Sequence, residues 1–426
     1  MNTMQHTKDW KQKFFPFWIS QMLSLLGSAL VQFSLVWWLT KETGSATVLS
    51  IASMFAVIPE IIIQPFAGAI TDRIDRKKII IIADALIALF TLLLGVLFFI
   101  DKVEVWHIYG IMMLRAIGGA FHYPAEQASV SLMVPNDQLA RISGLNQAAK
   151  GIINLVSAPL GALLMEVVGV EGSLFVDVIT AMIAVGVVVF TVIPRQKMLE
   201  GNNGSWFGTV LQDMRDGLRY LLGWKGMMVM TVMALVFKIA LSPAFALLPL
   251  YVSDHFNGSA AEYSLLQVVA GIGIILGGVL LGAWGGFKKK IYTIMLGGIG
   301  LGTAFLVLAF LPASAFYISM VPAFVIGFMI PMIDGPLHAI LQEKVDNEYQ
   351  GRVMTMFGSL IYLSTPVGLA IAGPLSDRVG IRIWFILAGI LIILAKTGGL
   401  FFKAYRNIEE DPVVNPNGKD EKLKRI

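Results

Sequence analysis

Twelve stretches of this chain are apolar over a length that would cross a lipid bilayer, and no other property narrows its choice of fold so severely. They run over residues 14–39, 46–70, 79–100, 105–131, 141–168, 172–194, 226–252, 262–286, 291–311, 315–342, 351–379 and 382–404. A helix needs about 20 mostly apolar residues to span the hydrocarbon core. In lipid no water satisfies a free N–H or C=O, so each stretch closes its own hydrogen bonds as an α-helix. Composition agrees. Of 426 residues 56% are apolar and 14% charged, too little charge to cover a water-soluble domain of this size. The absence of cysteine excludes a disulfide framework, a thiolate metal site and a cysteine nucleophile. Met1 to Trp10 is polar and enters the first apolar stretch with no small-residue cleavage site, which reads as an interior tail and not a signal peptide.

Lys and Arg orient these segments. One side collects Lys8, Lys11 and Lys13, then Arg73, Arg76, Lys77 and Lys78, then Arg141, Arg195, Lys197, Arg215, Arg219 and Lys225. It also takes Lys288 to Lys290, Lys344, Arg352 and the basic residues from Lys403 to Arg425. The other side holds only Lys41, Lys102, Arg378 and Arg382. Basic loops stay cytoplasmic, so both termini are expected inside, which demands an even number of crossings. The expected fold is an all-α polytopic membrane protein, with twelve transmembrane helices in two pseudo-symmetric six-helix bundles. Its divisions are 1–194, a cytoplasmic central loop at 195–225, 226–404 and a charged tail at 405–426. Within the loop, Val210, Leu211, Met214, Leu218, Leu221 and Leu222 alternate at helical spacing with Asp213, Arg215, Asp216 and Arg219. That pattern suits a helix lying on the membrane face.

The halves are weakly self-similar. Arg141 precedes Gly169 by the same interval as Arg352 precedes Gly380, and between them Glu166 matches Asp377. Pro124 and Pro336 are as far apart as Lys78 and Lys290. Two repeats related by an axis along the membrane normal would leave one site between them.

Four local patterns carry a family resemblance. The turn after the second segment reads Gly68-Ala-Ile-Thr-Asp72-Arg73-Ile-Asp75-Arg76-Lys77-Lys78. The fourth segment carries Leu114-Arg115-Ala-Ile-Gly118-Gly119-Ala120, then Phe121-His122-Tyr123-Pro124-Ala125-Glu126, with Met133-Val134-Pro135 beyond. Thr43-Gly44-Ser45 closes the first segment, and His255-Phe256-Asn257-Gly258 follows the seventh. Together these resemble the Major Facilitator Superfamily over nearly the whole chain, and within it the macrolide-efflux branch. The resemblance implies a cytoplasmic gate at Gly68, Asp72, Arg73, Asp75, Arg76 and Lys77, where Asp72 would meet a helix end and a basic partner. The equivalent loop of the second half, Gly282 to Lys290, contains no acid, so the gate is asymmetric. A plain basic loop obeying topology is the simpler alternative.

An arginine within a membrane segment is costly and by default functional. The alternative for Arg115 is a structural tie to backbone carbonyls, locking the first and fourth segments. At about 3.6 residues per turn, Arg115, His122 and Glu126 share one stripe. Aligning Pro124 with Pro336 sets Asp334 opposite His122 and His338 opposite Glu126, an acid–histidine pair in each half. Neutral His and a desolvated carboxylate both titrate near physiological pH, so these pairs with Arg115 are candidate sites for a coupling proton. The competing reading has each His capping a proline-broken turn.

Glu60 and Lys238 sit mid-segment, where they would face each other or a cavity, and Glu60 is the next candidate for the ion. Asp84, Asp177 and Lys396 fall on segments that lie outermost in the family and nearer the membrane surfaces. There, snorkelling or helix-end pairing is expected. Lys150 is expected to neutralise a carboxylate of the fourth segment. Gly273/Gly277 and Gly278/Gly282 read as close helix contacts. Trp18, Phe33, Trp37, Phe121, Phe237 and Phe245, with Lys238, would suit the wall of a cavity for a large amphiphile.

No Gly-x-x-x-x-Gly-Lys-Ser/Thr run, His-Glu-x-x-His helix or Gly-x-Ser-x-Gly turn occurs, so nothing points to an enzyme or to a cofactor. Neither a metal nor a nucleic-acid partner is expected. The resemblance implies a secondary transporter of the cytoplasmic membrane, working as a monomer and exporting macrolide-like or other amphiphilic drugs in exchange for protons. Export of a lipid, siderophore or peptide is the alternative within transport. A sensor or assembly factor would need a soluble domain larger than these loops provide.

Overall fold

The computed structural model describes residues 10–71, 74–194, 206–346 and 349–410, and among them every regular element is a helix. In chain order these are α1 (Trp10–Thr43), α2 (Ala46–Thr71), α3 (Arg76–Phe99), α4 (Val105–Met133), α5 (Leu139–Phe190), α6 (Trp206–Gly223) and α7 (Lys225–Ala246). There follow α8 (Leu248–His255), α9 (Ala260–Trp284), α10 (Lys290–Phe310), α11 (Met320–Lys344), α12 (Gln350–Val379), α13 (Arg382–Gly398) and α14 (Lys403–Arg406). Among the described residues, nine helical stretches are long and apolar enough to cross a membrane. Three expected crossings lie outside that set, each for a visible reason. α4 is diluted by Arg115, His122 and Glu126; α13 has only 17 residues; and α5 runs two apolar stretches together across a break.

That break is Gly169, whose φ of 71° leaves the helical region and divides α5 into an early and a late limb. Gly380, its counterpart in the sequence repeat, ends α12 with a φ of 89°. Both positions need the left-handed backbone that glycine adopts without steric cost. The seventh apolar stretch, expected as one helix, is broken at Leu247 between Pro243 and Pro249, and Pro249 opens α8, where its missing N–H costs nothing.

The chain divides into two compact units: residues 1–44, 51–203 and 260–268 form the first, and 45–50, 204–259 and 269–426 the second. In the first, α1 packs along both limbs of α5. Gly27 lies against Asp177 and Thr180 of the late limb, and Gly161 of the early limb receives Phe33. Ser34 Oγ donates to Ser173 Oγ at 2.8 Å. Where side chains are this small, backbones approach and polar groups find partners across helices.

In the second unit α10 packs on α11 and α13, and α7 on α12 and α13. Gly273 and Gly277 lie directly on the α11 backbone at Phe324 and Phe328, the close contact expected of them. Gly278 and Gly282 face open space, so that half of the expectation fails. A four-residue spacing fixes a common helix face but not what covers it. Asp377 of α12 accepts from the backbone N–H groups of Ala46 (2.7 Å) and Thr47 (3.0 Å) and from Ser45 Oγ (2.9 Å), capping the first turn of α2. The amphipathic run of the central loop forms α6, which packs on α12 with Gly217 against the carbonyl of Arg352. Residues 195–205, with the Arg195 and Lys197 of that loop, lie outside the described residues.

Candidate functional site

A cavity of about 340 Å³ lies in the first unit among α1, α2, α3, α4 and the early limb of α5. Its wall carries most of the ionisable groups that the unit holds at membrane depth: Glu60, Asp84, Arg115, His122, Glu126 and Lys150. The rest of the lining mixes apolar residues, among them Met22, Leu25, Ile87 and Met112, with the polar Gln21, Ser24, Ser28, Gln32 and Tyr123. Arg115, His122 and Glu126 all reach it because their spacing holds them to one side of α4, which continues helical through Pro124.

The pairings inside the unit differ from the expected ones. Among the described residues Arg115 binds no backbone carbonyl. Its Nη1 lies 2.6 Å from Asp177 Oδ2 and donates to Thr91 Oγ1 at 2.7 Å, tying α4 to the late limb of α5 and to α3. Asp177 is fully buried and also accepts from Ser28 Oγ of α1 at 3.1 Å. His122 Nε2 stands 3.2 Å from Asp84 Oδ1 and 3.0 Å from Gln21 Oε1, so it bridges α4 to α3 and α1 and caps no broken turn. Asp84 and Lys396 are buried as deeply as core residues. The placement of Asp84, Asp177 and Lys396 at snorkelling or helix-end positions is therefore corrected. An outermost helix still turns one face inward, and a polar residue on that face finds a partner there.

Glu126 behaves differently. Its residue is 6% exposed, and among the described residues its carboxylate makes no hydrogen bond or ion pair, although it lines the cavity. Lys150 shares that wall, with its ammonium 4.7 Å from the centre of the Tyr123 ring, close enough to act on Glu126 through space. Glu60, from α2, completes the set.

The second unit does not repeat this arrangement. Asp334 and His338 are exposed on α11, and neither is in an ion pair among the described residues. Asp334 feels the charges of His338, Lys238 and Lys396. Lys238 lies 5.9 Å from the centre of the Tyr362 ring, and Lys396 lies 4.8 Å from that of Phe237. Lys238 and Glu60 thus belong to different units.

The aromatic residues expected to wall a cavity make these contacts within their own units. Trp18 Nε1 points to Asn146 Oδ1 at 3.4 Å, and Trp18 and Phe121 pack on the core around Phe14 and Phe17. Phe33 and Trp37 both stack on Tyr263, at 5.5 and 5.7 Å. Phe245 meets Phe305 edge-on. None of them lines the charged cavity. Aromatic content follows from membrane composition, and only rotation about each helix axis says where a ring points.

Of the expected gate, Asp72 and Arg73 lie outside the described residues, and Gly68 sits near the end of α2. Asp75 caps α3, accepting from the Lys77 N–H at 3.0 Å. Arg76 donates to the Ala128 carbonyl at 3.0 Å, and Lys77 Nζ donates to the carbonyls of Val189 (2.8 Å) and Thr191 (2.9 Å). These two bases hold helix C-terminal ends, where the macrodipole favours a cation. Thr43-Gly44-Ser45 and His255 to Gly258 are also structural here. Gly44 has φ 56° between α1 and α2, and His255 bonds the Leu311 carbonyl at 2.9 Å.

Comparison with known proteins agrees with this architecture. The model of the Major Facilitator Superfamily matches residues 17–369 and 227–425. Macrolide efflux protein A of Streptococcus pyogenes is 35% identical over 390 residues, covering 92% of this chain and 96% of that protein. A protein of the same name from Enterococcus faecalis is 33% identical over 326 residues, covering 76% of this chain and 100% of its own. Among solved structures, the nucleoside transporter NupG (D323A mutant) superposes with a TM-score of 0.69 at 11% identity, over 90% of this chain and 98% of that one.

Proposed function

This chain belongs to the Major Facilitator Superfamily and is a multi-pass membrane transporter, not an enzyme, and from that premise we propose that it exports macrolide-like or other amphiphilic drugs in exchange for protons. The observation that carries the reading is the charged cavity of the first unit, where Glu126 stands buried, without a hydrogen-bonding partner among the described residues, beside Lys150 and the Asp84–His122 pair. A carboxylate and an imidazole in low dielectric exchange protons at the pH of a cell boundary. Glu126 and His122 are the proton carriers in this proposal, Glu60 the next in line, and Arg115 acts through its tie to Asp177. Asp334 and His338 form a second, more exposed station in the other half.

The proposed topology has twelve crossings, counting the two limbs of α5, α4 and α13, with both termini on the cytoplasmic side of the inner membrane. Two bundles alternate access to a shared path, and one chain suffices. Gly68, Asp72, Arg73, Asp75, Arg76 and Lys77 gate the cytoplasmic end in this scheme.

The test uses inside-out vesicles carrying an imposed pH gradient and a labelled macrolide, with wild type and Glu126→Gln. Gradient-driven accumulation lost in the variant supports a proton-driven drug exporter with coupling on α4. Wild-type uptake no higher than that of empty vesicles defeats the drug reading in favour of a lipid, siderophore or peptide. Full gradient-driven uptake by Glu126→Gln defeats the assignment of coupling.

A further inference from the structure

We propose that the seat of the first turn of α2 on α12 is a releasable clasp, with Asp377 as the residue that sets how often it opens. The proposal goes beyond proton exchange and is independent of what the protein carries. Residues 1–44 and the body of α2 from Ile51 belong to the first unit, whereas residues 45–50 belong to the second. Just before them Gly44 holds a φ of 56°, a turn that glycine takes without steric cost. In the proposed topology this turn and the end of α12 lie on the outer side.

Asp377 fixes the segment with both carboxylate oxygens. Oδ1 accepts from the Ala46 N–H at 2.7 Å, and Oδ2 from the Thr47 N–H at 3.0 Å and Ser45 Oγ at 2.9 Å. Ser45 Oγ in turn accepts from the Val48 N–H at 3.3 Å. The first N–H groups of a helix have no partner within it and carry the positive end of the macrodipole, so a carboxylate holds them strongly. Around these bonds the contact is slight. Gly373, Ser376 and Asp377 share one face of α12 by their spacing, and Gly373 lies against Thr47 and Ser50 of α2. Side chains this small bury little apolar surface. Ser50 and Ser376 are 2% and 4% exposed, and among the described residues neither hydroxyl has a hydrogen-bond partner. An orphaned buried hydroxyl is costly, and water satisfies both once the turn lifts away. The bonds to Asp377 thus close a contact that its own buried hydroxyls work to open, which is the balance of an element with two states.

The sequence repeat supplies a matched control. Gly44-Ser45-Ala46 recurs as Gly258-Ser259-Ala260 at the start of α9, and Glu166 stands where Asp377 stands. Glu166 is exposed, however, and makes no hydrogen bond or ion pair among the described residues. It carries the same charge with no such bond to lose.

The experiment exploits the absence of cysteine. Ser376→Cys places a single thiol in the seat at the cost of no hydrogen bond, and its labelling by a membrane-impermeant maleimide is timed in right-side-out vesicles. Labelling is expected to be slow, because the seated turn covers the thiol. Adding Asp377→Asn should speed it by about 10-fold or more, the worth of a charge-assisted hydrogen bond. Adding Glu166→Gln should leave the rate within about twofold. An unchanged rate in Asp377→Asn would overturn the clasp, as would an equal rise in Glu166→Gln, the mark of general loosening. A locked form gives a second measurement. A Cβ built on Gly373 lies 3.0 Å from Ser50 Cβ, so a shift of about 0.5–1 Å admits a disulfide in the Ser50→Cys, Gly373→Cys double variant. Oxidation of that variant should stop uptake in the vesicle assay, and a reductant should restore it. Uptake that persists with the disulfide formed would also overturn the clasp. Labelling needs no substrate, so its failure refutes the clasp alone, whereas absent macrolide uptake by wild type refutes the exporter reading.

Discussion

Breaking the Arg115–Asp177 pair should cost more than removing it altogether. The side chains are 12% and 1% exposed, so solvent screening does little for either charge. Asp177→Asn keeps the shape but leaves the guanidinium with no counter-ion, and Arg115→Met leaves the carboxylate with only the Ser28 hydroxyl. Stranding one member of a buried pair typically costs about 3–5 kcal/mol. In the double variant both charges are gone. What remains lost is the Arg115 bond to Thr91 and part of the Ser28 bond to residue 177, about 1–2 kcal/mol together. The cycle should therefore show a coupling of about 3 kcal/mol or more, with the double variant more stable than either single one. Reversible unfolding in mixed detergent micelles, followed by tryptophan fluorescence, measures all four proteins. Single costs that simply add would refute the reasoning, since they would mean that each charge is solvated independently. The same four proteins in transport assays separate a tie from a carrier. A double variant that still moves substrate places Arg115 in the architecture, and one that folds well but no longer couples to the gradient returns it to the proton path.

Two further outcomes follow from particular contacts. Gly277→Leu would drive its side chain into the Phe328 carbonyl of α11 and should destabilise by about 1–3 kcal/mol in the same unfolding assay, whereas Gly278→Ala, facing open space, should lie within about 0.5 kcal/mol of wild type. The segment after α13 is clamped to the start of α10, where Lys289 Nζ meets Glu410 Oε1 at 2.7 Å and Glu409 Oε1 accepts from the Ile291 N–H at 3.0 Å. The hydrogen bond from Lys289 holds the Glu410 carboxyl below its usual range, and the reciprocal bond raises Lys289 above its own. The contribution of Glu410 is therefore complete above the ordinary carboxylate range and lost as pH falls through its depressed value, and that of Lys289 is lost only above the ordinary lysine range. Protection of the amides at Tyr405 to Ile408, taken relative to their intrinsic exchange rate at each pH, should fall at acid pH and in high salt, and protection indifferent to both would show the clamp to be apolar, through the buried Tyr405.

The fold was largely legible because hydropathy acts on whole segments. A run of apolar residues must become a helix in lipid whichever way it is rotated. Breaks at Gly169 and Gly380 were legible too, since both stand at matching ends of a repeated interval and both need positive φ. The charged cavity was legible on α4, where one helix supplies Arg115, His122 and Glu126 at a spacing that fixes their common face, and in Glu60 and Lys150, both read from the sequence as neighbours of a cavity or of an α4 carboxylate. Asp84, Gln21 and Asp177 were not, because their role depends on which side of α3, α1 and α5 turns inward, and rotation about a helix axis leaves no mark in a uniformly apolar segment. One signal did exist. Arg115 cannot stand alone in a membrane, so an acid had to lie within reach, and among the segments that pack in its unit Asp84 and Asp177 were the unassigned carboxylates at comparable depth. That demand for neutrality gives Arg115 an acid, which the structure shows to be Asp177, and leaves Glu126 in the cavity wall with no hydrogen bond or ion pair among the described residues. The same accounting separates roles in the proposed scheme: the Arg115–Asp177 pair holds helices together, and Glu126, with no hydrogen bond or ion pair among the described residues, is the carboxylate free to take up a proton.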